Sequence, residues 1–410
     1  MEIPTEIPIR RGKLIECRWD PQMAALGGRR ARGGFLYEAY APSEIAEAGF
    51  QLEADIAGAA VKAELATREL NQEPQGLANF EALARQLLRA ESVASSRIEG
   101  LVLSHRRLAK ADFSGELHDI TAHGVLANMH SLECAIEHVG GANEIRRDDL
   151  LEVHRILFEG TRDEHLGGRI REKQSWIGGT ASSPRNAEFV PPPPELVPGL
   201  LDDLCAFCNR TDLPAAIQAA IAHVQFETIH PFSDGNGRVG RALILIILRR
   251  RDIAAECFPP VSLVLAGEAD RYVAGLTSWR TGGEDDWYEV FVDALFRAAG
   301  GASQFAAQVA NLQTRWIEAA GNPRIGSGAR RLTELLPSHP IVDVKTASEL
   351  IGGSEERARL AINRLEGVGV LRETSVARRR RAWECVGLFD LLDRFEQSLG
   401  PPERTPRPTR

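Results

Sequence analysis

The chain has 410 residues, with 49 Lys and Arg against 57 Asp and Glu, a net charge of −8 and 43% hydrophobic residues. That is enough for two or three hydrophobic cores, and it excludes disordered, collagenous and disulfide-stapled classes. The mild negative charge gives no general attraction for nucleic acid. The longest aliphatic run, Ala242 to Leu248, falls far short of the ~20 residues of a membrane span, so no membrane partner is expected. No apolar signal segment follows the first charges, and six scattered cysteines (Cys17, Cys134, Cys205, Cys208, Cys257, Cys385) fit a reducing compartment, so the expected location is cytoplasmic.

Residues 1–42 are rich in Pro, Gly and Arg and read as an irregular arm. From about 43 to 110, apolar residues recur at intervals of three and four, as from Ala82-Leu83 to Leu87-Leu88, and predict helices. This stretch ends in Ser95-Ser96-Arg97-Ile98-Glu99-Gly100. Ser95 and Glu99 are four apart and share a helical face, and Gly100 suits a left-handed helix end. Asp148 ahead of Leu150, Leu151, His154, Leu157 and Phe158 predicts an N-cap and an apolar stripe. Cys205 and Cys208 form a CxxC, but Leu201, Leu204 and Phe207 surround them at helical intervals and no second pair stands at zinc spacing, so packing is expected. Asp212 and Pro214 open a helix carrying Ile217, Ile221, Val224 and Thr228.

That helix runs into the most informative stretch, His230-Pro231-Phe232-Ser233-Asp234-Gly235-Asn236-Gly237-Arg238-Val239-Gly240-Arg241. Pro231 disfavours helix at the residue before it, which puts His230 at a helix-to-loop exit. A histidine there titrates near neutrality and can accept a proton from a hydroxyl. Gly235 and Gly237 flank Asn236 and let successive N–H groups turn inward into an anion nest, to which a following helix adds its N-terminus. Arg238 and Arg241 share one face of that helix, and Asp234 stands beside the nest, where magnesium enters phosphate sites. A rival pattern is His223, Glu227 and His230 at spacings of four and three. It lacks the HExxH order of a zinc protease, and Pro231 moves His230 off the helix.

This stretch resembles the Fic-domain signature HPFx[D/E]GNGRxxR at every specified position. The resemblance implies a mainly α Fic-fold helical core with a β-hairpin flap, and a protein adenylyltransferase that uses Mg2+ and ATP and modifies a protein target with an acceptor hydroxyl. It makes His230 the catalytic base, Asp234 the metal ligand, and Gly235, Asn236, Gly237, Arg238 and Arg241 the phosphate site. Gly168-Arg169-Ile170-Arg171, Trp176-Ile177-Gly178-Gly179 and Phe189-Val190-Pro191 resemble the flap, which docks the target edge to edge; core packing is the alternative for the Trp176 side chain. Ser95, Glu99 and Gly100 fit the (S/T)xxxE(G/N) pattern of an inhibitory helix, in which Glu99 would claim Arg241. Tyr272 and Trp287-Tyr288-Glu289-Val290-Phe291 match later helices, and Tyr272 is the adenine-side candidate. The chain departs from the family at Glu268, where Asn is frequent, and at Tyr272-Val273, where Tyr-Tyr is frequent. Fic relatives that act as kinases carry Lys where this chain has Gly237. Removal of AMP by the same site, with the glutamate orienting water, is the alternative activity.

The segment from about Arg330 to Phe395 resembles a winged helix-turn-helix, with Arg378 to Arg381 on the wing and Glu355 and Glu356 opening the recognition helix. DNA binding and a docking or homodimer surface are the two readings. The expected organisation is 1–110 as arm and helical segment, 111–300 as catalytic core, 301–329 as linker helix, 330–396 as the small C-terminal domain and 397–410 as tail.

Overall fold

The computed structural model describes residues 12–20, 34–72, 80–115, 119–180, 182–377 and 380–400. The described chain is mainly helical, as expected, and forms two compact units that interleave along the sequence. The first comprises Met1–Val61, Glu133–Arg251 and Asp270–Val292; the second comprises Lys62–Leu132, Asp252–Ala269 and Asp293–Arg410. Among the described residues no helix is long and apolar enough to cross a membrane.

At the centre of the first unit, every residue of helix Ala215–Ile229 is buried. A helix apolar on all sides belongs inside a core, and its polar members find partners. Gln218 donates to the carbonyls of Phe207 and Arg210, Gln225 to that of Ser43, and Thr228 to that of Val224. Helix Asn236–Arg250 packs against it, and helices Arg147–Phe158 and Val197–Cys208 complete this layer. The first of these begins one residue before Asp148. The carboxylate that accepts the Arg146 N–H at 2.8 Å is Asp149, so Asp148 lies inside the first turn and is not the N-cap. The CxxC thiols are buried, and burial pushes Cys205 up to about 12, a packing role rather than a reactive one.

The arm expected to be irregular contains a two-stranded antiparallel ribbon, Lys13–Trp19 with Phe35–Ala41. Burial alternates along the strands: Ile15, Cys17 and Trp19 are the more buried positions of one, and Phe35, Tyr37, Ala39 and Ala41 lie among those of the other. That two-residue period is present in the sequence but masked by the Gly, Pro and Arg around it.

In the second unit, Val93 of helix Phe80–Ile98 packs with Leu103, Leu108, Ala111, Ala122 and Val125. Further on come helix Gly328–Leu335, strand Ile341–Val342, helices Val344–Ile351 and Glu355–Gly367, and strands Leu371–Ala377 and Arg380–Cys385. The last strand pairs antiparallel with both others. Ser327, Asp343 and Ser354 each cap their helix by accepting an N–H three residues on. Of the wing arginines, Arg378 and Arg379 lie outside the described residues. The expected linker, 301–329, is largely the end of helix Glu284–Ala319.

Candidate active site

His230 closes helix Ala215–Ile229, donating its N–H to the Phe226 carbonyl at 2.9 Å. Its backbone is left-handed, φ 49° and ψ 62°. That conformation is uncommon for any residue with a side chain, and here it directly precedes a proline. Surrounding structure must hold it, and the holder is Arg171, which is 3% exposed. Its Nε donates to the His230 carbonyl at 2.8 Å, Nη2 to those of Pro192 at 2.5 Å and Ile229 at 3.5 Å, and Nη1 to that of Lys173 at 3.2 Å. Its own N–H donates to the Pro231 carbonyl at 3.0 Å. Burial lowers the guanidinium to about 10, so it stays charged at neutral pH.

Replacing Arg171 by Met keeps the stem and removes every side-chain donor. The expected outcome is a loss of about 3 kcal/mol in a denaturant melt, since each stranded carbonyl costs ~1–3 kcal/mol. A midpoint within experimental error of wild type would contradict this role.

The loop after His230 is pinned at both ends. The Asn236 side chain accepts the Phe232 N–H at 2.8 Å and donates to the Phe232 carbonyl at 2.9 Å. It therefore shapes the loop. His154 stacks on Phe232 at 3.7 Å, accepts the Gly168 N–H on Nδ1 and donates from Nε2 to the Asp234 carbonyl, both at 3.0 Å. That pairing assigns the tautomer. Burial holds the ring down to about 4, so it is neutral and positions the loop.

Gly235 precedes helix Asn236–Arg250 with φ 80°, and a Cβ there would lie 2.8 Å from Phe158 and 2.9 Å from Leu157. Only glycine fits both the conformation and the space. The first-turn N–H groups, those of Asn236 and Gly237 among them, have no earlier helical carbonyl to bond, which makes this helix start the nest. Arg238, 7% exposed, lies over the Phe158 ring at 5.3 Å and 3.7 Å from Asp234, and Arg241 is 1% exposed. Asp234 itself is exposed, and its Oδ1 accepts the Gly235 N–H at 2.6 Å. The stretch brings together an imidazole at a helix exit, a helix N-terminus, two guanidiniums and an exposed carboxylate.

Tyr272 stands in an aromatic group with His223 and Trp287, and its hydroxyl pairs with His223 Nε2 at 2.8 Å. Only 5% of Tyr272 is exposed, which leaves little of its face for a base. Burial lowers His223 to about 3, so its ring is neutral. Among the described residues no three His, Cys, Asp or Glu side chains gather to hold a metal.

The flap segment is a short hairpin. Ile177 and Phe189 exchange backbone bonds at 2.8 and 3.2 Å, Thr180 bridges Ser183, and Gly178 and Gly179, both at positive φ, bend the chain between the two bridges. Trp176 is half-buried, packs edge-on against Trp19 at 5.4 Å and donates Nε1 to the Thr180 carbonyl. The ribbon holds the flap further through Arg185 over Phe35, Tyr40 against Phe189 and the Tyr40 N–H on the Val190 carbonyl.

In the second unit, helix Phe80–Ile98 ends in a Schellman cap. Leu101 N–H bonds to the Ser96 carbonyl and Gly100 N–H to that of Arg97, with Gly100 at φ 84°. Glu99 is the exposed C-cap, just past the last helical residue, while Ser95 is buried. A carboxylate there faces the negative end of the helix dipole. The helix is secured along its length: Glu91 accepts the Ser262 N–H and hydroxyl, Asn128 donates to Ser92 and Ser96, and Arg97 and His105 meet Glu396.

With this geometry in view, the comparisons are specific. Residues 144–248 match the Fic/DOC family and residues 58–137 the Fic/DOC family N-terminal region. Over these two stretches the chain is similar to Fic/DOC proteins. The Fic match spans His230 to Arg241, and the N-terminal match spans Ser95 to Gly100. A protein adenylyltransferase of Caenorhabditis elegans is 34% identical over 157 residues, 37% of this chain and 27% of that protein. A probable protein adenylyltransferase of Aquifex aeolicus is 46% identical over 63 residues, 15% of this chain and 20% of that protein. The matches thus span about a quarter of these relatives. A Fic family protein from Desulfovibrio desulfuricans has the same fold at a TM-score of 0.50 and 21% identity, over 82% of this chain and 98% of that one.

The Fic/DOC match covers the contiguous signature. Arg171 and His154, which hold the His230–Asp234 backbone, were not assigned these roles from sequence. The one signal was the presence of Arg171 beside the flap motif.

Proposed function

We propose that the Fic domain transfers AMP from Mg-ATP to a Ser, Thr or Tyr hydroxyl of a protein target. The observation that carries this reading is His230, held in a left-handed conformation by Arg171 directly before a glycine nest and a helix N-terminus. His230 accepts the hydroxyl proton as the oxygen bonds to the α-phosphorus, and the bond from that phosphorus to the bridging oxygen of pyrophosphate breaks. The N–H groups at Asn236 and Gly237 and the guanidiniums of Arg238 and Arg241 balance charge on the leaving pyrophosphate. Asp234 suits a magnesium ion: it is one exposed carboxylate beside a phosphate cradle, fit to share a hydrated ion with phosphate oxygens. Magnesium there would add neutralising charge. The flap from Trp176 to Gly179 offers strand groups to an extended target segment.

The names of the relatives support adenylyl transfer at the identities given above. Glu99 is proposed as a brake on the sequence pattern, acting by competition for Arg241 with the γ-phosphate. A homodimer is one way to govern it, and hydrolytic removal of AMP is the alternative outcome of the same groups. Mass spectrometry of a cell lysate incubated with the protein and ATP tests the reaction. An adenylyl phosphodiester on a target side chain is expected; a phosphomonoester would replace the reading with phosphoryl transfer.

The elements from Gly328 to Cys385 are proposed as a winged helix used for docking rather than for DNA. Arg359 pairs with Glu355, Arg381 with Glu373 and Arg372 with Glu384, so these basic groups are already met by acids. Fluorescence anisotropy with duplex DNA at low salt should show no binding. Tight binding that weakens steeply as salt rises would restore the DNA reading.

A further inference from the structure

In the second unit, a cavity of about 220 Å³ lies between helix Phe80–Ile98, helix His105–Ser114 and the segment from Ser338 to Ile341. Its charged lining is unequal. Asp112 Oδ2 receives Arg89 Nη2 at 2.5 Å and Arg85 Nη2 at 3.4 Å, so one carboxylate serves two guanidiniums. Arg89 is 2% exposed, and Arg85 Nε is buried with no hydrogen-bond partner among the described residues. Ser338, His339 and Thr346 complete the polar wall. Burial lowers His339, and Arg85 and Arg89 lower it further, which leaves that ring neutral at pH 7. Glu81 is the other acid near His339, and it does not line the cavity.

Two guanidiniums four residues apart on one helix face form the donor set that recognises tetrahedral oxyanions. The cavity has several times the ~30 Å³ share of one water, and it is smaller than the ~300 Å³ at which drug-sized pockets begin. We propose that this cavity binds a small phosphate-type oxyanion, inorganic phosphate or pyrophosphate, anchored by Arg85 and Arg89. Binding does not depend on the proposed reaction.

The test is calorimetric titration of the full chain with each anion, in an Arg238→Gln background that weakens the nest. One saturable site per chain is expected to persist there. Adding Arg85→Gln should lower its affinity at least tenfold, and the partly exposed Arg85 lets that variant fold. Adding Asp112→Asn instead removes the competing carboxylate and should increase the thermal stabilisation that the anion confers, a gain that mere loosening of the fold would not produce. Preference for one anion over the other identifies the ligand. Loss of all saturable binding in Arg238→Gln alone, or binding unchanged by Arg85→Gln, would overturn the proposal.

Discussion

Replacing His230 by Asn is expected to lower AMP transfer by ~10²–10⁴-fold, the usual contribution of a general base, while leaving ATP affinity within a few-fold of wild type. The choice of Asn follows from the backbone. At φ 49° an alanine would carry ~1–2 kcal/mol of left-handed strain, whereas Asn tolerates that region and removes only the base. A His230→Ala chain should be equally inactive and slightly less stable. Equal activity in His230→Asn and wild type, measured by label transfer at saturating ATP, would remove His230 from the mechanism.

The second large effect concerns Glu99. Glu99→Gly should raise label transfer by about 100-fold, which corresponds to roughly 2.7 kcal/mol of repression. The substitution leaves the backbone bonds of the helix end in place. Glu99 is an exposed C-cap, and the Schellman bonds that close the helix run through backbone groups of Ser96, Arg97, Gly100 and Leu101. The dipole does not favour a carboxylate at this helix end. Measuring the melting temperature alongside the rate separates an effect on the site from an effect on the helix. Unchanged transfer in Glu99→Gly would leave the brake without support while leaving His230 in place.

How much of this was legible beforehand divides by the range of the interaction. The His230–Arg241 stretch is readable because a helix exit, a glycine nest and a helix start are local devices: Pro231 marks the exit, and Gly235 supplies the one backbone that the Phe158 and Leu157 side chains permit. The Gly100 cap is legible for the same reason. Arg171 was not assigned its role, because it acts on the His230 carbonyl across 59 residues and nothing local in its neighbourhood signals those acceptors. His154 read as one member of an apolar stripe, and the stripe was correct. What the period could not convey is that both ring nitrogens would be spent on Gly168 and Asp234. The ribbon was missed for a compositional reason, since seven-residue strands are short against the Gly- and Arg-rich sequence between them.

The central proposal is adenylyl transfer with His230 as the base and Glu99 as the brake. The most direct measurement incubates Glu99→Gly and Glu99→Gly/His230→Asn chains with α-labelled and γ-labelled ATP in parallel. The account predicts protein-bound label from α-labelled ATP alone, and only with His230 intact. Label from γ-labelled ATP instead, or α-label that survives loss of His230, would contradict it.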